Sequence, residues 1–320
     1  MQRRDLLKSF ATGAAGAGLA GIESGGALAE QTRPAAPGPP VTPKPFIEAR
    51  DGTRLFYRDW GTGRPVVFVA PWALNSDWWE YQTSFLSGQG LRCIAYDRRG
   101  HGRSGEPGKG YEFETLADDL ESVIDQLDLR TVTLVGHSMG CAEVVRYLAR
   151  KPAGRVDRAV LVATITPFSL KTADNPGGVD KAVFEKGRAD LSRDRPQQIA
   201  AAAAAFFGAP GNPVSAATMD WWTRMIVDRC SLKVMLELHR VFTETDFRPD
   251  LSRIKVPTLL VLGDRDTSTP LEFTGRRTAA LIPGSRLQVY EGAAHGLPIT
   301  HMERLNADLL AFAKGVPKNS

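Results

Sequence analysis

The sequence predicts an α/β domain: a mostly parallel, twisted sheet with helices on both faces and a helical cap inserted into it. Short, continuously apolar runs recur at Val66–Ala70, Cys93–Tyr96, Val132–Val135, Val160–Ala163, Leu259–Leu262 and Leu287–Tyr290. Runs without alternation are the mark of strands buried on both faces. Between two of them Leu116, Leu120, Val123, Ile124 and Leu127 fall at i, i+4, i+7, i+8 and i+11, which is one face of a helix. Strand, helix and strand in repetition give a parallel sheet covered on both sides. The repetition stops from about Phe168 to Leu251, a stretch rich in Ala, Arg, Trp and Phe with helical segments at Gln197–Phe206 and Ala216–Val227. An insertion between strands, on the side where parallel strands end, sits over the ligand crevice.

The chain has 320 residues, 42% of them hydrophobic and 24% charged, which is ordinary globular composition with room for one substantial core. A disordered chain or a membrane protein is excluded for the bulk of it. The formal charge is +4, with Lys and Arg interleaved among Asp and Glu. No basic stripe is formed, so nucleic acid is not an expected partner. Cys93, Cys141 and Cys230 are too few and too scattered for a disulfide framework, and read as buried free thiols.

Taken in order, residues 1–29 read as a twin-arginine signal peptide. Arg3-Arg4-Asp5-Leu6-Leu7-Lys8 precedes an uncharged stretch from Ser9 to Ile22, and Ala27-Leu28-Ala29 is a small-residue cleavage site. The stretch is too short and too weakly apolar to stay in a bilayer, so a periplasmic or secreted protein is expected. Gly16-Ala17-Gly18-Leu19-Ala20-Gly21 matches the dinucleotide fingerprint, but it follows no strand and opens no helix. Residues 30–45, with Pro34, Pro37, Pro39 and Pro40, read as an extended linker. The core is expected over 46–167 and 252–315 and the cap over 168–251. Asp51-Gly52, between Phe46–Arg50 and Thr53–Trp60, predicts a tight hairpin turn and an antiparallel pair at one edge of the sheet.

Gly136-His137-Ser138-Met139-Gly140 follows the run Val132–Val135 and precedes the helix-like Cys141–Arg150. Small residues on both sides of a serine let the chain turn sharply and hold its hydroxyl above the sheet at a helix N-terminus. That arrangement resembles the nucleophile elbow of the α/β-hydrolase fold. Serine becomes a nucleophile only when a base takes its proton and an acid orients that base. His295 lies on a small-residue loop after the last strand and is the candidate base. His101 reads as structural, His137 as packed beside the elbow, His239 as part of the cap and His301 as part of the final helix. None has a partner at metal-ligand spacing, so neither a metal nor a cofactor is expected. The acid should lie between serine and histidine, and Gly263-Asp264-Arg265-Asp266 offers two carboxylates. Asp264 is close enough to the strand end to brace the loop, and Asp266, further out, is favoured. The oxyanion formed by Ser138 needs backbone donors. Met139 N–H is one candidate and Trp72 N–H the other, because Pro71 has none. Phe206, Phe207, Trp221 and Trp222 could shape an apolar acyl pocket, or pack the cap.

Tyr96-Asp97-Arg98-Arg99-Gly100-His101-Gly102-Arg103-Ser104, the elbow, Thr243-Glu244-Thr245-Asp246-Phe247, Glu291-Gly292-Ala293-Ala294-His295-Gly296 and Asn306-Ala307-Asp308-Leu309-Leu310-Ala311-Phe312 together resemble the cofactor-free (non-haem) chloroperoxidases and bromoperoxidases, relatives of the arylesterases. The resemblance runs from about Phe46 to Gly315. It implies a Ser138, Asp266 and His295 triad, an oxyanion hole from the Trp72 and Met139 N–H groups, and hydrolysis of a small ester. It also implies perhydrolysis as a side reaction, in which hydrogen peroxide replaces water on the acyl-enzyme and the released peracid oxidises halide. Two departures stand out. Such relatives usually carry His-Gly-Trp-Pro where this chain has Ala70-Pro71-Trp72-Ala73, so the proline associated with perhydrolysis is missing. They also usually lack an export signal.

Ester or lactone hydrolysis through an acyl-enzyme is therefore the leading reading. A dedicated haloperoxidase is the alternative within the enzymes, and a ligand-binding receptor with vestigial chemistry is the alternative outside them. Ser138 excludes the dehalogenase and epoxide-hydrolase classes, which normally need a carboxylate at the nucleophile position.

Overall fold

The computed structural model describes residues 45–151 and 154–315. The signal-peptide and linker readings fall on residues that lie outside these. Eight strands form one sheet in the order β1-β2-β4-β3-β5-β6-β7-β8. They are β1 Phe46–Glu48, β2 Arg54–Trp60, β3 Arg64–Val69, β4 Leu91–Tyr96, β5 Val132–His137, β6 Val156–Val162, β7 Thr258–Gly263 and β8 Arg286–Tyr290. The β1–β2 and β2–β4 pairs are antiparallel and every other pair is parallel. The expected antiparallel edge is present, but its turn is longer than two residues. Gly52 N–H donates to Ala49 O at 2.9 Å and Ala49 N–H to Thr53 O at 2.8 Å. Gly52 takes the left-handed φ of 82° that closes such a turn.

The continuous apolar runs are the strand interiors. Val66, Val67, Phe68 and Val69 in β3 and every residue of β5 and β7 are buried. Strand β6 begins at Val156, four residues before its apolar run, because Asp157 and Arg158 occupy a half-buried start. Helices α1 Glu80–Gly88, α2 Phe113–Gln126 and α3 Met139–Arg150 connect the first four parallel strands, β3 to β6. Leu116, Leu120, Val123 and Ile124 are the buried stripe of α2, as their spacing predicts. Helix α3 is buried almost all round, Glu143 included. All three cysteines are free and buried.

Between β6 and β7 the chain forms α4 Lys181–Phe207, α5 Ala216–Arg229, α6 Leu232–Glu244 and α7 Arg248–Leu251. Helix α4 breaks at Asp194, whose φ of −153° and ψ of 77° are not helical, just before Pro196. Asp194 caps the second half by accepting Gln197 N–H at 3.1 Å. The expected Gln197–Phe206 segment is that second half. Ser215 and Ser231 cap α5 and α6 in the same way. Helices α8 Gly275–Leu281, α9 Leu297–Thr300 and α10 Met302–Lys314 complete the chain. Among the described residues no helix is long and apolar enough to cross a membrane. The ends of β3, β5, β7 and β8 lie along one edge of the sheet, and the loops after them carry the candidate site.

Candidate active site

Strand β5 ends on the elbow and α3 starts immediately after it. Ser138 has φ 54° and ψ −117°, a left-handed backbone that costs an L-residue about 1–3 kcal/mol and persists only where its surroundings enforce it. They do so here. Ser138 N–H is held by Val162 O of β6 at 2.9 Å, and its own carbonyl accepts Cys141 N–H at 3.0 Å. A Cβ on Gly136 would sit 2.7 Å from the Gly140 backbone, and one on Gly140 would sit 2.4 Å from Val69 O. Both flanking positions of the motif must therefore be glycine.

The His295 and Asp266 loops converge beside Ser138. His295 Nδ1–H donates to Asp266 Oδ2 at 2.7 Å. Asp266 Oδ2 also accepts Thr269 Oγ1–H at 2.7 Å, while Oδ1 accepts Ser268 N–H and Thr269 N–H, each at 2.8 Å. Burial alone would raise the Asp266 carboxyl, but His295 and these donors hold it down at about 2. With Nδ1–H committed to the carboxylate, Nε2 of His295 is the acceptor end of the ring. Ser138 and His295 line one cavity. Ser138 Oγ and His295 are not yet hydrogen-bonded to each other, a contact that serine hydrolases can complete when substrate is bound. Asp264 has the bracing position: its Oδ1 accepts Gly292 N–H at 2.7 Å and pins the histidine loop. His301 stands at the residue before α10, without a side-chain capping hydrogen bond, and is not inside the final helix.

Neither the Trp72 N–H nor the Met139 N–H has an acceptor among the described residues. Arg98 sets the Trp72 peptide. Its guanidinium donates to Ala70 O at 2.6 Å and to Pro71 O at 3.3 Å, and pairs with Glu143 of α3 at 2.5 Å. Because carbonyl and amide of one trans peptide point in opposite directions, the Trp72 N–H turns away from Arg98. The Trp72 indole is fastened to the cap, donating Nε1–H to Met235 O at 3.0 Å. Arg98 and Glu143 are both essentially inaccessible to solvent, and removing one partner of a buried pair costs about 3–5 kcal/mol by stranding the other charge. Arg98→Met is accordingly expected to lose stability of that order in chemical denaturation. It is also expected to lower kcat by about a hundredfold, as loss of one oxyanion donor does, because the loop carbonyls lose their anchor. Unchanged kcat in folded Arg98→Met would separate this clamp from the site.

His137 is more than packing. Trp78 Nε1–H donates to its Nδ1 at 3.0 Å, so the ring proton is on Nε2 and is given to the His295 carbonyl, also at 3.0 Å. The cap holds the same loop from the other side, where Gly296 N–H donates to Phe206 O at 2.7 Å. The cavity measures about 300 Å³, at the small end of the range for small-molecule sites. Its floor carries Ser138, His295 and Thr269, and its roof carries Ile199, Phe206, Trp222 and Phe242 from the cap. Of the four aromatics singled out in the cap, Phe206 and Trp222 line it. Phe207 is core, and Trp221 lines a separate surface groove of about 720 Å³ with Tyr81 and Phe85.

Two buried histidines, His101 and His137, and the half-buried His239 make stability depend on pH. Burial is the main cause that holds His101 at about 3 and His239 at about 4, and it pushes His137 well below 6.5. Each is neutral when folded and protonates when unfolded, so each contributes stability that is full above pH 6.5 and lost as pH falls toward its folded value. Glu143, which burial pushes up to about 7, works in the opposite sense over part of that window. The histidines outnumber Glu143, so stability should fall as pH drops from 6.5 to 5, more steeply toward the lower end as the unfolded imidazoles fill. Denaturant midpoints measured across that range check it, and a flat profile contradicts it.

The family described as "alpha/beta hydrolase fold" matches residues 64–302. The chain is 42% identical over 272 residues to the non-heme chloroperoxidase CPO-A1 of Kitasatospora aureofaciens, covering 84% of this chain and 98% of that one. It is 36% identical over 275 residues to the bifunctional esterase/perhydrolase DCH of Acinetobacter calcoaceticus, covering 84% and 99%. Among solved structures, a bromoperoxidase from Bacillus anthracis superposes with a TM-score of 0.80 at 36% identity, over 84% of this chain and 99% of the other. The chain thus belongs to the α/β-hydrolase fold family, in the group that holds the non-heme haloperoxidases and their esterase relatives.

Proposed function

We propose that the protein hydrolyses small carboxylic esters or lactones through an acyl-enzyme. Ser138 Oγ attacks the carbonyl carbon while His295 Nε2 takes its proton. Asp266 keeps the imidazole in the required tautomer and stabilises the imidazolium. The Trp72 and Met139 N–H groups receive the oxyanion, each worth about 3 kcal/mol in the transition state. His295 then protonates the leaving alkoxide, and water repeats the sequence on the acyl-enzyme. The observation that carries this reading is a strained Ser138 beside a preset Asp266–His295 pair in one small, cap-roofed cavity.

p-Nitrophenyl esters of increasing acyl length, with a few lactones, test it on the chain from Glu30 onward. Short acyl esters should turn over, with kcat/KM falling once the acyl chain outgrows the cavity. No turnover of any of them would refute the reading.

Perhydrolysis is a second activity of the same acyl-enzyme, favoured by the names of the chloroperoxidase and esterase/perhydrolase relatives. Ala73 has φ 60°, which a proline, fixed near −65°, cannot adopt. The loop in this form therefore has no place for the proline of the usual His-Gly-Trp-Pro sequence. Bromination that requires acetate and peroxide together would demonstrate the activity. The twin-arginine pattern and the Ala27-Leu28-Ala29 site support export to the periplasm or beyond, and fractionation of cells expressing Arg3→Lys/Arg4→Lys chain would test it.

A further inference from the structure

The cap side of the cavity is apolar except at two points. Ile199, Phe206, Ile226 and Phe242 present hydrocarbon, the Trp222 indole N–H is a buried donor with no partner among the described residues, and His239 of α6 contributes the other polar group. Its ring stands in an aromatic box, with centroids 5.7 Å from Trp72, 6.0 Å from Phe184 and 5.1 Å from Phe242. Phenylalanine would satisfy such surroundings, whereas the half-buried imidazole brings a ring nitrogen to the cavity. Arg188, in the first half of α4, approaches His239 Nδ1 at 3.4 Å. A guanidinium can only donate, so Nδ1 is an acceptor and the ring proton resides on Nε2. Arg188 in turn lies 3.6 Å from Glu244, which keeps its charge balanced at the cap. Burial first, then Arg188, holds the imidazole near 4 and so neutral. Nε2–H has no acceptor among the described residues.

We infer that His239 donates a hydrogen bond to substrate, and that the preferred ester or lactone carries a neutral oxygen acceptor, such as an ether, ketone or amide oxygen, away from the scissile carbonyl. This rests on the reading of the cavity as an ester or lactone site. His239 is then a polar point that selects among small acyl or alkoxy groups, since an isostere lacking the oxygen covers the donor without pairing it. Arg188 is a positioning residue that acts through His239 and does not touch the substrate.

Isosteric ester pairs test it. One member is alkyl, the other has a single methylene replaced by oxygen, and the substitution is walked along the acyl chain of p-nitrophenyl esters and along the alcohol chain of acetate esters. For each pair the ratio of kcat/KM, ether over alkyl, is measured for wild type, His239→Phe and His239→Gln. Comparing enzymes on the same pair cancels the intrinsic reactivity difference between its members. The wild-type ratio should exceed the His239→Phe ratio by about tenfold at one oxygen position, and His239→Gln, which keeps a donor, should recover part of that preference. Ratios within about twofold of those of His239→Phe at every position would overturn the inference while ester hydrolysis itself stands. A wild type that prefers no ether position over any other overturns it too, whether or not the variants fold. Absence of hydrolysis for every ester would overturn the underlying esterase reading, and this inference with it.

Discussion

Ser138→Ala is expected to lower kcat on a short aryl ester by about a millionfold, the order seen when the nucleophile of a serine triad is removed. No neighbouring group can substitute. Cys141, the nearest reactive side chain in sequence, is fully buried one turn into α3, hydrogen-bonded to the Gly136 and Val162 carbonyls, and burial raises its thiol far above neutral. The substitution leaves the backbone constraints intact, because those act through Ser138 N–H and C=O and through the two flanking glycines. The melting temperature should therefore stay within a few degrees of wild type, which separates loss of chemistry from loss of fold. Retained turnover in Ser138→Ala, measured against background hydrolysis, would remove the nucleophile from the account.

Asp266→Asn should lower kcat by about ten-thousandfold, and the pattern of donors around this carboxylate says why. Oδ1 accepts two backbone N–H groups, from Ser268 and Thr269. An asparagine keeps its carbonyl oxygen toward those two donors and thereby turns its NH2 group toward His295 Nδ1. A donor facing Nδ1 forces the ring proton onto Nε2, the atom that must accept the Ser138 proton. Catalysis fails through the wrong tautomer while the loop retains its shape. Asp264→Asn provides the contrast. Its Oδ1 meets only Gly292 N–H in the histidine loop, an interaction that an amide oxygen reproduces, so kcat should change by less than about tenfold. Equal losses in the two variants would contradict the assignment of Asp266 over Asp264.

Most of the sheet was legible because its signals are local. Val66–Ala70 and Leu259–Leu262 read as strands from five and four adjacent residues, and the elbow, the Asp264–Asp266 loop and the His295 loop each follow a strand by fixed short offsets. The start of β6 was hidden by Asp157 and Arg158, polar residues at the half-buried end of a strand. The groups that aim the site were harder to read, since they join residues far apart in sequence. Arg98 reaches Glu143 across 45 positions and His137 reaches the His295 carbonyl across 158. Two clues were nonetheless present. Glu143 stands among Cys141, Ala142, Val144 and Val145, and a charge in so apolar a stretch needs a buried partner. Thr269 follows Asp266 by three residues, a spacing at which a side chain can turn back on the carboxylate. For His239 the sequence carries no such clue: its place in the cavity depends on the break in α4 at Asp194 and on the packing of α4 against α6, both settled only in three dimensions.

The most direct test of the central claim is to label the protein with an aryl phosphonate ester and locate the adduct by peptide mass mapping. A phosphonate takes the place of the attacked carbonyl and stays on the nucleophile. The account predicts one adduct per chain, on the peptide that contains Gly136-His137-Ser138-Met139-Gly140, absent in Ser138→Ala and strongly slowed in Asp266→Asn. An adduct on another residue, or ester turnover that continues with Ser138 unlabelled and the reagent in excess, would contradict it.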